Sequence, residues 1–205
     1  ELQKVPTAWM GAQETFPIWY AKQKGWDKEV GLDVELLYFS SGMDALSTLP
    51  AKTWVFGGMG AIPALMGALR HDTYVIANCN DEAMVNAVMV RPDSPIMQTK
   101  GYNKSYPNVY GTPESVKGKT VLCTTVSSAH FALSSWLKAL GLTEKDVTIK
   151  NMDQAQALAA FDNGIGDGVA LWAPHMYAGQ EKGWKIAGDL HMCKVGNPIV
   201  LIADT

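Results

Sequence analysis

The sequence predicts an α/β protein, and three observations predict it. Short β-branched or aromatic runs alternate with amphipathic helical segments along nearly the whole chain. Small polar turns follow several of the strand-like runs and open the helical ones. The alternation lapses once, between Arg91 and Lys119, where Pro92, Pro95, Pro107 and Pro113 gather. Strands separated by helices imply parallel sheets with right-handed crossovers, and the lapse marks a boundary between two halves.

The first half opens with a strand from Lys4 to Trp9 and the turn Met10-Gly11-Ala12-Gln13-Glu14. Thr15 then caps a helix that places Phe16, Trp19, Tyr20 and Gln23 on one face, at spacings of three and four. Gly31 ends that segment, and Leu32 to Phe39 is the second strand. The turn Ser40-Ser41-Gly42 leads into a short helix from Met43. A third strand, Trp54 to Gly57, passes through a Gly58-Met59-Gly60 turn into a helix ending near Leu69. Thr73 to Ala77 and Asn86 to Val90 are further strands.

In the second half, Thr120 to Val126 is a β-branched strand and Ser127-Ser128 a capping turn. The helix after it aligns Leu133, Trp136, Leu137 and Leu140, and Gly141 stops it. Val147 to Met152 is the next strand. Asp153 with Gln156 three residues on resembles a capping box, opening a helix with Ala155, Leu158 and Ala159 inward. Gly168 to Trp172 reads as a buried strand, and Pro198 to Ala203 as a last strand-like run.

Composition narrows the function. With 47% hydrophobic and 18% charged residues, the 205-residue chain is neither collagen-like nor strongly disordered. Its net charge of −3 and lack of any Lys/Arg run argue against a nucleic-acid partner. Thr53 to Leu69 carries no formal charge, but it falls short of the roughly 20 apolar residues a membrane helix needs and is broken by glycines and Pro63. Cys79, Cys123 and Cys193 form no C-x-x-C pair, which excludes a zinc ribbon or a disulfide framework and leaves one isolated bridge open. The four histidines supply no i, i+4 metal pair, and no G-x-S-x-G, P-loop or complete G-x-G-x-x-G is present.

Ligands of open α/β sheets bind outside the carboxyl ends of the strands. Four turns there are candidates: Gly11 to Glu14, Ser40 to Gly42, Gly58-Met59-Gly60 and Ser127-Ser128-Ala129-His130. A helix N-terminus offers free N–H groups and favours an anion by about 0.3–2 kcal/mol, whereas micromolar binding needs roughly 8 kcal/mol, so several must converge. Each turn taken singly is also an ordinary cap. Trp172 ends a strand and could wall a pocket or pack in the core. Glu14, Asp44, Asp81 and Glu82 could meet an amine, although solvated surface is the commoner fate of such residues.

Together these residues resemble the substrate-binding proteins of bacterial ABC importers, in their taurine, alkanesulfonate and nitrate branch. Ser127-Ser128-Ala129-His130 is similar to that branch's Gly-Ser-Ser-Ala-His-Tyr segment, and Asp167 to Pro174 to its Asp-Ala-Ala-Val-Trp-Glu-Pro. Asp146-Val147 with Asp153 to Leu158, Ser41-Gly42, Gly60 to Leu65 and Arg91 to Ile96 follow the same order. The resemblance implies a two-lobe, type II periplasmic-binding-protein fold, each lobe a mostly parallel sheet flanked by helices. Residues 1–91 would form lobe 1, 92–195 lobe 2, and 196–205 a return to lobe 1.

It implies no enzyme and no cofactor or metal, but an extracytoplasmic protein, periplasmic or extracellular and with lipid anchoring left open. Its partners would be ABC permease subunits and a small anionic or zwitterionic solute held in an interlobe cleft. The candidate ligand contacts are Gln13, Glu14, Ser41, Gly42, Met59, Gly60, Ser127, Ser128, Ala129, His130 and Trp172. The alternative is an enzyme on the same scaffold, like the thiamine-pyrimidine synthases, which rely on a cysteine cluster and a histidine. Three departures stand out. Ala173 replaces the family's usual Glu, and Met97 to Val116 is longer than usual. The helices that follow the returning strand are missing, so the chain is expected to be C-terminally incomplete.

Overall fold

A computed structural model describes residues 1–204. The chain divides into two units: Glu1–Asp81 with the stretch from Pro198 onward, and Glu82–Asn197. In the first unit come β1 (Gln3–Met10), α1 (Phe16–Lys24), α2 (Trp26–Glu29), β2 (Leu32–Phe39), α3 (Gly42–Ser47), β3 (Phe56–Gly60), α4 (Ala61–His71) and β4 (Tyr74–Asp81). The second contains β5 (Asn86–Val90), α5 (Pro113–Val116), β6 (Thr120–Cys123), α6 (Ser128–Ala139), β7 (Thr148–Asn151), α7 (Gln154–Asp162), β8 (Gly168–Trp172), α8 (His175–Glu181) and β9 (Lys185–Asp189). β10 (Pro198–Ala203) belongs to the first sheet.

Both sheets have five strands, in the orders β2-β1-β3-β10-β4 and β7-β6-β8-β5-β9. One strand in each runs against its neighbours: β10 pairs antiparallel with β3 and β4, and β5 with β8 and β9. The remaining pairs, β1 with β2 and β3, and β6 with β7 and β8, are parallel. β5 therefore lies in the second sheet, and the chain leaves the first unit after Asp81, ten residues before the expected boundary at 91.

The central strands β8, β6 and β5 of the second sheet are largely apolar because both faces there are covered. Val88, Val121 and Ala170 pack against Leu133, Trp136 and Leu137 of α6. Their neighbours in sequence, Met89, Leu122, Val169 and Leu171, point the other way, onto Ala157 and Phe161 of α7 and Met176 of α8. Of the predicted inward face of α7, Leu158 packs against the core and the two alanines do not. Gln154, Ala157 and Phe161 are buried, whereas Ala155 and Ala159 are exposed, because a hydrogen-bonded polar residue sets the face.

In the first unit, Ala8, Met10, Met59, Val200 and Ile202 form a core with α3 and α4. The predicted Gly58-Met59-Gly60 turn is the end of strand β3. A Cβ on Gly57 would fall 2.6 Å from the Ala8 carbonyl oxygen, and one on Gly58 2.5 Å from the Trp9 ring, so glycine is what lets β1 and β3 approach. α1 departs further from expectation. None of its residues is buried, and Phe16 is 60% exposed. The 3–4 spacing brings Phe16 and Tyr20 together, with ring centroids 5.8 Å apart, without bringing that face onto the sheet. Thr15 stands at the N-cap of α1 as expected, but its side chain makes no cap bond; its hydroxyl donates to the Met10 carbonyl at 2.6 Å instead.

Candidate functional site

Parallel neighbours place their carboxyl ends on one edge, and that edge collects the candidate turns in each unit. In the first unit, β2, β1 and β3 end together. Beyond them lie Ser41-Gly42, Gly11 to Glu14, and Gly60 at the start of α4. Ser41 is the N-cap of α3, accepting the Asp44 N–H at 3.1 Å. A Cβ on Gly42 would lie 2.6 Å from Pro63, so this glycine lets α3 and α4 meet behind the turn. Gly60 caps α4 without a side chain. Gln13 is exposed, while Glu14, expected at the solvated surface, is 8% exposed. Met59 does not join this group: it is fully buried in the core.

Beside these turns an open apolar groove of about 760 Å³ runs between α1 and the sheet, over Trp9, Phe56 and Leu201. Its edge includes Gln13, Glu14 and Cys79. Partial burial and the nearby Glu14 carboxylate push the Cys79 thiol above its ordinary value.

In the second unit, β7, β6 and β8 end side by side. Ser127 is the N-cap of α6: its hydroxyl accepts the His130 N–H at 3.3 Å and donates to the Thr124 carbonyl at 2.7 Å. The Ser127 carbonyl takes the Phe131 N–H at 3.0 Å. First-turn helix geometry then leaves the Ser128 and Ala129 N–H groups pointing out of the helix end, as donors to an anion. His130 is differently occupied. Its Nδ1 accepts the Val126 N–H at 3.1 Å, and its Nε2 lies 3.1 Å from Glu144 Oε1.

Gln154, a residue that periodicity does not mark as inward, ties the strand ends together. Its amide nitrogen donates to Thr124 Oγ1 at 3.0 Å and to the Ala170 carbonyl at 3.3 Å. Its oxygen accepts the Trp172 N–H at 2.9 Å. Thr124 passes its own proton to the Met152 carbonyl at 2.8 Å. Three adjacent strand ends are thereby fixed by one buried side chain. The signal available in sequence was its place, one residue past the Asp153 cap, where β7 gives way to α7. Trp172 is half-buried, its side chain against the α6 side of the core. Two residues beyond Ala173, the half-buried His175 ring is held below its ordinary value by burial, which the Asp153 charge partly opposes.

Among the described residues no group of three His, Cys, Asp or Glu side chains could hold a metal ion. Cys123 and Cys193 are buried in the second unit, their thiols pushed up by burial, that of Cys193 to about 12. Cys79, in the first unit, is exposed.

Two α/β units, each ending its parallel strands in a fan of polar turns and helix starts, with the chain passing to the second and back, define the type II periplasmic-binding-protein class. The chain belongs to the NMT1/THI5-like family, whose profile matches residues 12–187. A protein of Brachyspira hyodysenteriae that carries the name of an ABC transporter periplasmic binding protein is 31% identical over 174 residues, 85% of this chain and 50% of its own length. The taurine-binding periplasmic protein of Escherichia coli is 26% identical over 167 residues, 79% of this chain and 46% of its own. The chain thus spans about half the length of the curated relatives it matches. The crystal structure of the periplasmic aliphatic sulphonate binding protein of Escherichia coli shares the fold, with a TM-score of 0.77 at 21% identity over 100% of this chain and 66% of that one.

Proposed function

We propose that the chain is the solute-binding component of an ABC importer, acting outside the cytoplasm and handing its solute to permease subunits. The solute is a small anion or zwitterion of the taurine, alkanesulfonate or nitrate class. In the second unit the Ser128 and Ala129 N–H groups receive the oxyanion, with Trp172 beside its apolar part. The first unit offers Gln13, Ser41, Gly42 and Gly60 at its own strand ends as further candidate contacts. The observation that carries this reading is the α6 start: a capped, buried Ser127-Ser128-Ala129 turn with outward N–H donors, in a family whose relatives are named for sulfonate and taurine binding. Single dipoles are weak, so affinity has to come from several such groups and from apolar contact.

This reading involves no catalytic step. The thiamine-pyrimidine synthase alternative needs clustered cysteines, and the structure puts one cysteine in the first unit and two in the core of the second. Isothermal titration of the purified chain with taurine, ethanesulfonate, nitrate and bicarbonate tests the proposal. Binding of a sulfonate in preference to bicarbonate is expected; no heat from any of the four would overturn it.

A further inference from the structure

His130 lies on the first turn of α6, yet its ring folds back toward the end of β6. Val126, four residues earlier, takes φ +55°, a left-handed conformation that a β-branched residue adopts only when its surroundings hold it there. The neighbours of Val126 are tied down. The Thr125 N–H donates to Asn151 Oδ1 at 2.9 Å, and the Ser127 hydroxyl donates to the Thr124 carbonyl at 2.7 Å. The Val126 N–H itself donates to His130 Nδ1. An accepting Nδ1 carries no proton, so a neutral ring holds its proton on Nε2, which is buried 3.1 Å from Glu144 Oε1 without forming a hydrogen bond. Glu144 is fixed in turn by accepting the Ser134 hydroxyl.

We propose that His130, backed by Glu144, is a positioning residue that holds Val126 in its left-handed conformation and so keeps the Ser128 and Ala129 N–H groups aimed at the solute. This rests on the solute-binding reading above. The imidazole itself does not contact the solute, because Nδ1 takes the Val126 N–H and Nε2 is buried beside Glu144.

Two measurements on the purified chain decide it. Nitrogen-15 spectra of the imidazoles are expected to show His130 as the Nε2–H tautomer, with a slowly exchanging Val126 amide; an Nδ1–H tautomer overturns the proposal. Taurine and ethanesulfonate are then titrated into His130→Phe and His130→Asn. His130→Phe is expected to weaken binding at least 10-fold and to speed Val126 exchange. His130→Asn, whose Oδ1 reaches the Nδ1 position, recovers most of both. Unchanged binding by a folded His130→Phe overturns the proposal, as does an equal loss in both variants, which would mean that the ring touches the solute. If His130→Phe does not fold, Glu144→Gln takes its place, with weaker binding and faster Val126 exchange expected and wild-type values for both contradicting the relay. Should neither probe bind the wild type, the solute reading fails, and the tautomer and amide exchange still decide whether His130 holds the turn.

Discussion

Replacing Gln154 with leucine removes the side chain that ties three strand ends together. Two of its hydrogen bonds, to Thr124 Oγ1 and the Ala170 carbonyl, contribute about 1 kcal/mol each. The third leaves the Trp172 N–H inside the unit without its acceptor, at a cost of about 1–3 kcal/mol. Leucine keeps the volume of a residue that is 3% exposed and offsets about 1 kcal/mol through apolar burial. The net loss is about 3 kcal/mol, a fall in melting temperature of about 10 °C for a unit of this size. Urea unfolding followed by tryptophan fluorescence measures it, since Trp136 and Trp184 are buried in this unit.

Gln154→Glu sharpens the test. The carboxylate still accepts from Trp172 but cannot donate to Ala170. Burial and the lost donor raise its folded-state pKa above the unfolded value near 4.3. Its stability is therefore highest below that value and is lost as pH rises through the folded pKa. A Gln154→Leu variant that loses under about 1 kcal/mol and binds taurine like the wild type would refute the reasoning, because strand-end geometry would then not depend on this side chain.

Three further outcomes are expected. His175 is held below its ordinary value, so the native state binds fewer protons than the unfolded chain; stability falls as pH drops from about 6.5 toward the native pKa, and His175→Gln should flatten the urea midpoint between about pH 7 and 5. Gly188→Ala places a Cβ 2.5 Å from Trp136 Cδ1 and should destabilise the second unit by about 1–3 kcal/mol, read from the same urea curves, while the nearby Gly183→Ala meets no atom but pays for its φ of +85° and should cost about 1 kcal/mol. With a thiol-reactive chromophore, Cys79 alone should react in the folded chain, slowly at neutral pH, and all three cysteines in denaturant; fast native reaction of a second thiol would contradict the burial of Cys123 and Cys193.

Local pattern made much of the second unit legible. β8 matches its expected range, α6 buries the face its spacing gave, and Ser127 and Asp153 cap their helices as their residue types require. Period and cap chemistry are local, and here the tertiary environment agrees with them. Elsewhere it does not. The α1 aromatics have helical spacing, but spacing cannot say whether a sheet lies opposite, and here they stack on one another. Gly58 and Gly60 look like a turn until the Trp9 ring is seen lying against the strand. Gln154 is polar, which by itself argues for the solvent side, yet three hydrogen bonds make its burial tolerable.

By itself the sequence determined the order of most strands and helices, α8 and β9 excepted, the polar turns at strand ends and the family, because each is written in short-range spacing and residue type. The return of β10 to the first sheet is what the family resemblance implies; only the tertiary structure decided that β5 joins the second sheet, since pairing is a long-range choice. The same holds for His130, whose place in the turn suggested a ligand contact. Its ring meets two groups that flank α6 in sequence, the Val126 N–H and the Glu144 carboxylate, which no reading of one segment brings together.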